Sequence, residues 1–233
     1  MKVIDSVLRW VFILCLPLLL LSAAFRIPAN SAFFYDYLFN KYQVGTTTGL
    51  DKAALKATAQ GMVDYFSSNQ EYIDLAVTKD GQPFKLFNER EIVHLKDVKG
   101  LFRFDLTVLL ATGAFALAYA ILSIVRGRDA RRRLARAALI GGGLTLALMA
   151  AMAIGMLFNF DSLLLEFHFL SFANDFWQLD PTRDYLIMLI THGVMYDGAF
   201  TVAGATAFGA LLVGGAGGGY LLHSKRHERN PVS

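Results

Sequence analysis

The sequence predicts an all-α integral membrane protein: four transmembrane helices with an extracytoplasmic cap that holds further helices and a short β-hairpin. Three observations predict it. Of the 233 residues, 55% are hydrophobic, and the mean hydropathy of +0.44 exceeds what a soluble domain carries. Residues 7–25, 106–125, 137–158 and 198–222 each approach or exceed the about 20 mostly apolar residues that a helix needs to cross a bilayer. Basic residues gather at both termini and in residues 126–136, the pattern of segments kept in the cytoplasm. The whole chain, 1–233, reads as one membrane domain, with the cap at 26–105 and a second outer loop at 159–197.

The first span contains one charge, Arg9, near its end, where it snorkels to the headgroups. Its basic start, short apolar run and Ser22-Ala-Ala24 also suit a cleaved secretory signal; a retained anchor is the reading preferred here. Cys15, the one cysteine, lies within that span and offers neither a disulfide nor a nucleophile. Orientation follows from Lys2, Arg9, Lys225, Arg226, Arg229 and the loop 126–136, all assigned to the cytoplasm. The segment 159–199 holds Arg183 against Asp161, Glu166, Asp175, Asp180, Asp184 and Asp197, and is assigned outside with the cap. The net charge of +3 therefore has a topological explanation and points to lipid headgroups, not to nucleic acid.

Between the first two spans, Thr48 or Asp51 is expected to cap a helix whose stripe is Leu55, Ala59, Met62, Val63 and Phe66. Residues 72–77 and 84–87 flank Lys79-Asp-Gly-Gln82, where the Asp-Gly pair favours a tight hairpin turn. Asn88 with Glu91 three residues on is a capping box, so residues 89 to about 99 are expected to be helical, with a bend at Gly100 before the second span. In the second outer loop, Asp161 or Ser162 is expected to cap a helix at 163–170 that is apolar almost all round. Asn174-Asp175 and residues 179–182 read as turns, and residues 185–190 as a short apolar element.

Two histidines, His94 and His168, each sit a few residues outside a span on the same face of the bilayer. A single such histidine reads equally as a hydrogen-bonded interfacial residue; two together suggest chemistry. His192 shares that face but has no carboxylate near it in sequence until Asp197; His223 and His227 fall in the tail. Asp97, three residues after His94, is placed to orient its imidazole or hold its proton.

The string Phe87-Asn-Glu-Arg-Glu-Ile-Val-His-Leu-Lys-Asp-Val-Lys99 precedes the second span. Phe167-His168, Asn174-Asp-Phe-Trp-Gln-Leu-Asp-Pro181 and Asp184-Tyr-Leu-Ile187 precede the fourth. These strings, with the span count and loop order, closely resemble the bacterial lipoprotein intramolecular transacylases, the Lit family. The resemblance implies an acyltransferase that moves the sn-2 acyl chain of a lipoprotein's diacylglyceryl-cysteine to the cysteine's own α-amino group, leaving a lyso-form lipoprotein. It implies diacylated lipoproteins and membrane lipids as partners, no cofactor and no metal, and it matches the family's two histidines to His94 and His168. After Ile187 the chain departs from the family pattern, with Thr191-His-Gly-Val-Met-Tyr-Asp197 in place of a Pro-Glu-aromatic stretch.

That chemistry suits imidazole. The attacking amine must lose a proton and the departing alkoxide must gain one, and a group with a pKa of about 6.5 can do both near neutral pH. Because amine and ester belong to one molecule, proximity can supply on the order of 7–11 kcal/mol of the barrier. His94 is assigned as base, with His168 stabilising the oxyanion or protonating the leaving oxygen. Glu91 and Asp97 read as groups fixing the His94 tautomer, or as a helix cap and a surface ion pair with Lys96 or Arg90. Asn174 and Asp175 read as turn formers or substrate contacts, Trp177 as a headgroup anchor or substrate contact, and Arg183 as a lipid-phosphate contact or a partner of Asp180. Three rivals remain: a metal-dependent hydrolase built on Glu91, His94, Glu166 and His168, a non-enzymatic protein whose cap binds a partner or lipid, and a transporter. The last is poorly served by spans almost without ionisable groups.

Overall fold

The computed structural model describes residues 2–229; Met1 and residues 230–233, the ends of the predicted 1–233 domain, lie outside the described residues, as do the side chains of Lys2, His227, Glu228 and Arg229. In chain order the elements are α1 (Lys2–Ala29), α2 (Ala32–Lys41), α3 (Val44–Thr48), α4 (Lys52–Ser67), β1 (Ala76–Lys79), β2 (Gln82–Lys85), α5 (Glu89–Val125), α6 (Arg128–Ser171), α7 (Tyr185–Leu189) and α8 (His192–Arg229). The long helices α1, α5, α6 and α8 are each long and apolar enough to cross a membrane. The chain divides into two compact units, one comprising residues up to 25, 105–154 and from 202 on, the other 26–104 and 155–201.

The first unit is built from the apolar stretches of the four long helices. Phe12, Ile13 and Leu16 of α1 pack with Ala116 of α5 and Ala137 and Ala138 of α6, and Phe12 meets the Tyr119 ring at 4.9 Å. Other apolar side chains, such as Leu110, Leu117, Leu211 and Leu212, stay exposed, as a lipid-facing surface requires. Residues 126–136, expected as a basic loop, form a short turn at Gly127, whose φ of +98° suits glycine, and then the first turns of α6. Arg126 meets Asp5 at 3.4 Å.

In the second unit Asp51, not Thr48, caps α4: its Oδ1 accepts from the Ala54 N–H at 2.8 Å. Thr48 ends α3 instead, donating to the Val44 carbonyl at 2.8 Å. Leu55, Ala59, Met62, Val63 and Phe66 are all buried, the stripe read from the sequence. α2 was not anticipated; it begins at Ser31, whose Oγ accepts from Phe34 N–H at 3.2 Å, and it packs on α4. The hairpin pairs Lys79 with Gln82 across Asp80 and Gly81, both left-handed at φ 52° and 77°. Its first strand covers 76–79 and not 72–77, because the two-residue turn fixes the register.

α5 passes through Gly100 without a break, contrary to the expected bend; beside it Phe102 stacks on Phe66 of α4 at 4.3 Å. α6 does break, at Asn159 (φ −160°, ψ 76°), where the third apolar run ends. The cap of the following helical arm, 160–171, is Asn159 itself, accepting from Ser162 N–H at 3.1 Å, and neither Asp161 nor Ser162.

Candidate active site

The N-terminus of α5 is fixed first. Asn88 Oδ1 accepts from the Glu91 N–H at 3.2 Å while Glu91 Oε2 accepts from the Asn88 N–H at 2.8 Å, the reciprocal pair of a capping box. The second Glu91 oxygen, Oε1, accepts from the Leu186 N–H of α7 at 2.6 Å. Asn88 Nδ2 also donates to Asp184 Oδ1 at 2.9 Å, and Asp184 Oδ2 accepts from the Asp180 N–H at 2.7 Å. Glu91 is therefore a buried strut between two helix starts; burial pushes its carboxyl up, against the backbone N–H groups that favour the anion. Its oxygens are taken by backbone donors and are not directed to His94.

One turn along α5, His94 is buried, and its ring stacks near-parallel on that of His168, with centroids 6.2 Å apart and planes at 29°. His168 stands on the short arm of α6 after the Asn159 break, and its Nδ1 lies 2.7 Å from the Leu164 carbonyl. A carbonyl only accepts, so Nδ1 keeps its proton and Nε2 is the nitrogen free to accept one. Phe172 touches both imidazoles, edge-on to His94 at 4.9 Å and 5.7 Å from His168. Trp177 lies against His168 at 5.0 Å and also meets Phe169 at 5.2 Å.

The loop after α6 is tied to α5 by two polar contacts. Asn174 Nδ2 donates to Asp97 Oδ2 at 2.9 Å, and Arg90 donates to the Asp175 carbonyl with its guanidinium over the Phe176 ring. Asp97 thus faces Asn174, while its charge still favours protonated His94. Burial outweighs it: the His94 imidazole is pushed down to about 4, chiefly by loss of solvent, with His168 adding to the effect and Asp97 opposing it. Nδ1 of His94 is buried without a hydrogen-bond partner among the described residues.

Arg183 pairs with Asp180 at 3.6 Å and Asp184 at 3.7 Å. His192, passed over because its sequence neighbours offer no carboxylate, has one from α6: its Nε2 is 2.9 Å from Asp161 Oδ1, with Phe160 edge-on at 5.2 Å. Asp197 pairs with Lys41. Phe172 and the Leu164 carbonyl are contacts that sequence reading missed, although each lies four residues from His168, the spacing of neighbours on one helix face. The mixed carboxylate and imidazole cluster of a metal hydrolase does not assemble, since among the described residues no three His, Cys, Asp or Glu side chains converge.

The lipoprotein intramolecular transacylase family, Lit, matches residues 10–193 of the chain. Among solved structures, the membrane-integral lipoprotein intramolecular transacylase Lit from Bacillus cereus superposes with a TM-score of 0.81 at 19% identity, covering 97% of this chain and 99% of that one. Structures of two variants of that protein, with a histidine changed to arginine or to alanine, both give a TM-score of 0.76 at 19% identity, covering 97% of this chain and 96% of those. No curated protein matches. With the matched region spanning most of its length and the fold shared from end to end, this chain belongs to the Lit family of membrane-integral lipoprotein intramolecular transacylases.

Proposed function

We propose that the protein moves the sn-2 acyl chain of a lipoprotein's diacylglyceryl-cysteine onto the cysteine's α-amino group, with His94 and His168 as the catalytic pair. The observation that carries this reading is the stacked imidazole pair, in which His94 is held neutral by burial and keeps a buried ring nitrogen without a partner among the described residues. Buried polar atoms are nearly always paired, so an orphan beside a second histidine is a place for a substrate group.

Neutral His94 takes a proton as the amine nitrogen bonds to the ester carbonyl carbon. The oxyanion that forms is stabilised by protonated His168, whose Nδ1–H is already directed to Leu164. Collapse breaks the bond between the acyl carbon and the sn-2 oxygen, which takes a proton from the pair. One proton leaves the amine and one reaches the new hydroxyl, so no water and no other reactant is consumed. With ring centroids 6.2 Å apart, the two imidazoles belong to one site, and one substrate can reach both.

The test is expression in a bacterium lacking the activity, followed by mass spectrometry of a lipoprotein's N-terminal peptide. An N-acyl, monoacylglyceryl cysteine is expected, and His94→Ala and His168→Ala are each expected to lower its rate of formation by about 10²–10⁴. An unchanged diacylglyceryl peptide from folded, inserted protein would overturn the reaction and favour the non-enzymatic reading.

The site is further proposed to face the extracytoplasmic side, with both termini in the cytoplasm, on the strength of the basic residues at 126–136. In a Cys15→Ser background, a membrane-impermeant thiol reagent on intact cells is expected to label Asn69→Cys and to spare Arg131→Cys. The reverse pattern would invert the topology.

A further inference from the structure

The lipidated substrate has two chemically opposed parts, apolar acyl chains and a polypeptide whose every residue brings an N–H and a C=O that need partners. The surroundings of the histidine pair divide in the same way. Trp177 and Phe167 lie against His168, and Phe169 packs on Trp177. On the other hand, an open cleft of about 760 Å³ is bordered by Asn69, Gln70, Lys96, Asp97, Lys99 and Phe172, and none of those three aromatic residues lines it. Its volume falls in the range, roughly 300–1,000 Å³, of pockets that hold small ligands.

Phe172 joins the two regions, since the same residue borders the cleft and sets its ring against both imidazoles. A substrate with its ester at the histidines therefore has this cleft beside it.

Three charged groups of the cleft, Lys96, Asp97 and Lys99, hold partners within the protein. Lys96 holds Glu71 at 2.6 Å and the Tyr72 hydroxyl at 3.1 Å, and Asp97 holds Asn174 at 2.9 Å. Buried Lys99 donates to Ser68 Oγ at 3.0 Å and to the Gln70 carbonyl at 2.7 Å, with its ammonium 4.0 Å from the centre of the Tyr65 ring. Exposed Glu71 and Arg103 also border the cleft; beside them stand the exposed side-chain amides of Asn69 and Gln70, each with donor and acceptor on one planar group, as in a peptide bond. Neutral amides match a main chain of any sequence; they match neither an acyl chain nor an isolated anion.

We infer that this cleft is the subsite for the polypeptide that follows the modified cysteine, with Asn69 and Gln70 hydrogen-bonding its main chain. The inference rests on the proposed reaction for its substrate and makes a claim of its own about where the peptide lies.

Two measurements on the full-length protein in detergent test it. A diacylglyceryl-cysteine lipopeptide carrying a photoreactive residue in its peptide is expected to cross-link to residues 69–71 or 96–103, mapped by mass spectrometry. Cross-links confined to other segments would overturn the inference. In kinetics, the exposed pair Asn69→Ala with Gln70→Ala is expected to raise KM about tenfold for the lipopeptide, the effect of losing one or two hydrogen bonds, with kcat kept and KM unchanged for a diacylglyceryl-cysteine amide lacking the peptide. Equal effects on both substrates, or none, would also overturn it. The two readings fail separately: cross-links in the cleft without acyl transfer remove the reaction and leave a lipopeptide site, whereas transfer with cross-links elsewhere removes the subsite alone.

Discussion

His94 and His168 are the same residue type in unlike surroundings, and the proposed division of their roles rests on that difference. Burial keeps His94 neutral, whereas His168 is only half-buried and anchors one nitrogen on a carbonyl. The lowered His94 value has a consequence for stability. Its folded value of about 4 lies below the ordinary 6.5, so the unfolded chain binds a proton first as the pH falls. Stability from this group is whole above about 6.5 and is lost on acidification toward 4, by on the order of 3 kcal/mol. Comparing the thermal midpoint of the wild type with that of His94→Gln at pH 7 and pH 4.5 isolates the effect, with the larger acid loss expected in the wild type. Equal losses would mean that His94 titrates normally. Both histidines stand out in the sequence because each lies just outside an apolar run. Their stacking and the contact of Phe172 with His94 do not, because the rings come from helices 74 residues apart in the chain, counted from positions 94 and 168.

At the scale of elements, local rules were legible and long-range joins were not. The capping box at Asn88 and Glu91, the buried stripe of α4 and the Asp80-Gly81 turn each depend on residues within a few positions of one another, and each is present. The bond from the Leu186 N–H to Glu91 spans 95 residues and carries no local signal. α2 escaped notice for a related reason: its aromatic-rich sequence has modest helix propensity, and packing on α4 supplies what propensity does not. The Glu91 strut holds the start of the helix that carries His94. Glu91→Ala would leave the Leu186 and Asn88 N–H groups without their acceptor, at a cost of about 2–5 kcal/mol, and Glu91→Gln, which keeps one acceptor, should cost less. Denaturation of the purified protein measures this ranking; an Ala variant as stable as the wild type would show that the strut contributes nothing.

Across the whole molecule, composition announces the membrane helices, but it does not say which faces meet. A glycine run such as 141–143 reads only as permission for close packing, because every position in it looks alike. The structure separates them. A Cβ on Gly142 would lie 2.8 Å from the Ala210 carbonyl oxygen and 3.0 Å from Gly214 Cα, both backbone atoms of α8 that cannot swing aside. A Cβ on Gly143 would meet nothing within 4 Å. The same substitution at adjacent positions should therefore act with opposite sign. Gly143→Ala is expected to stabilise by about 0.5–1 kcal/mol, since alanine loses less backbone freedom in a helix than glycine does. Gly142→Ala gains the same term but must force α6 and α8 apart, and overpacking of this kind costs about 1–3 kcal/mol, so the net effect is destabilising. Thermal midpoints of the two variants in one detergent decide it. If both rise together, α6 and α8 do not meet along Gly142; if only Gly142→Ala falls, the contact is the one that the backbone geometry demands.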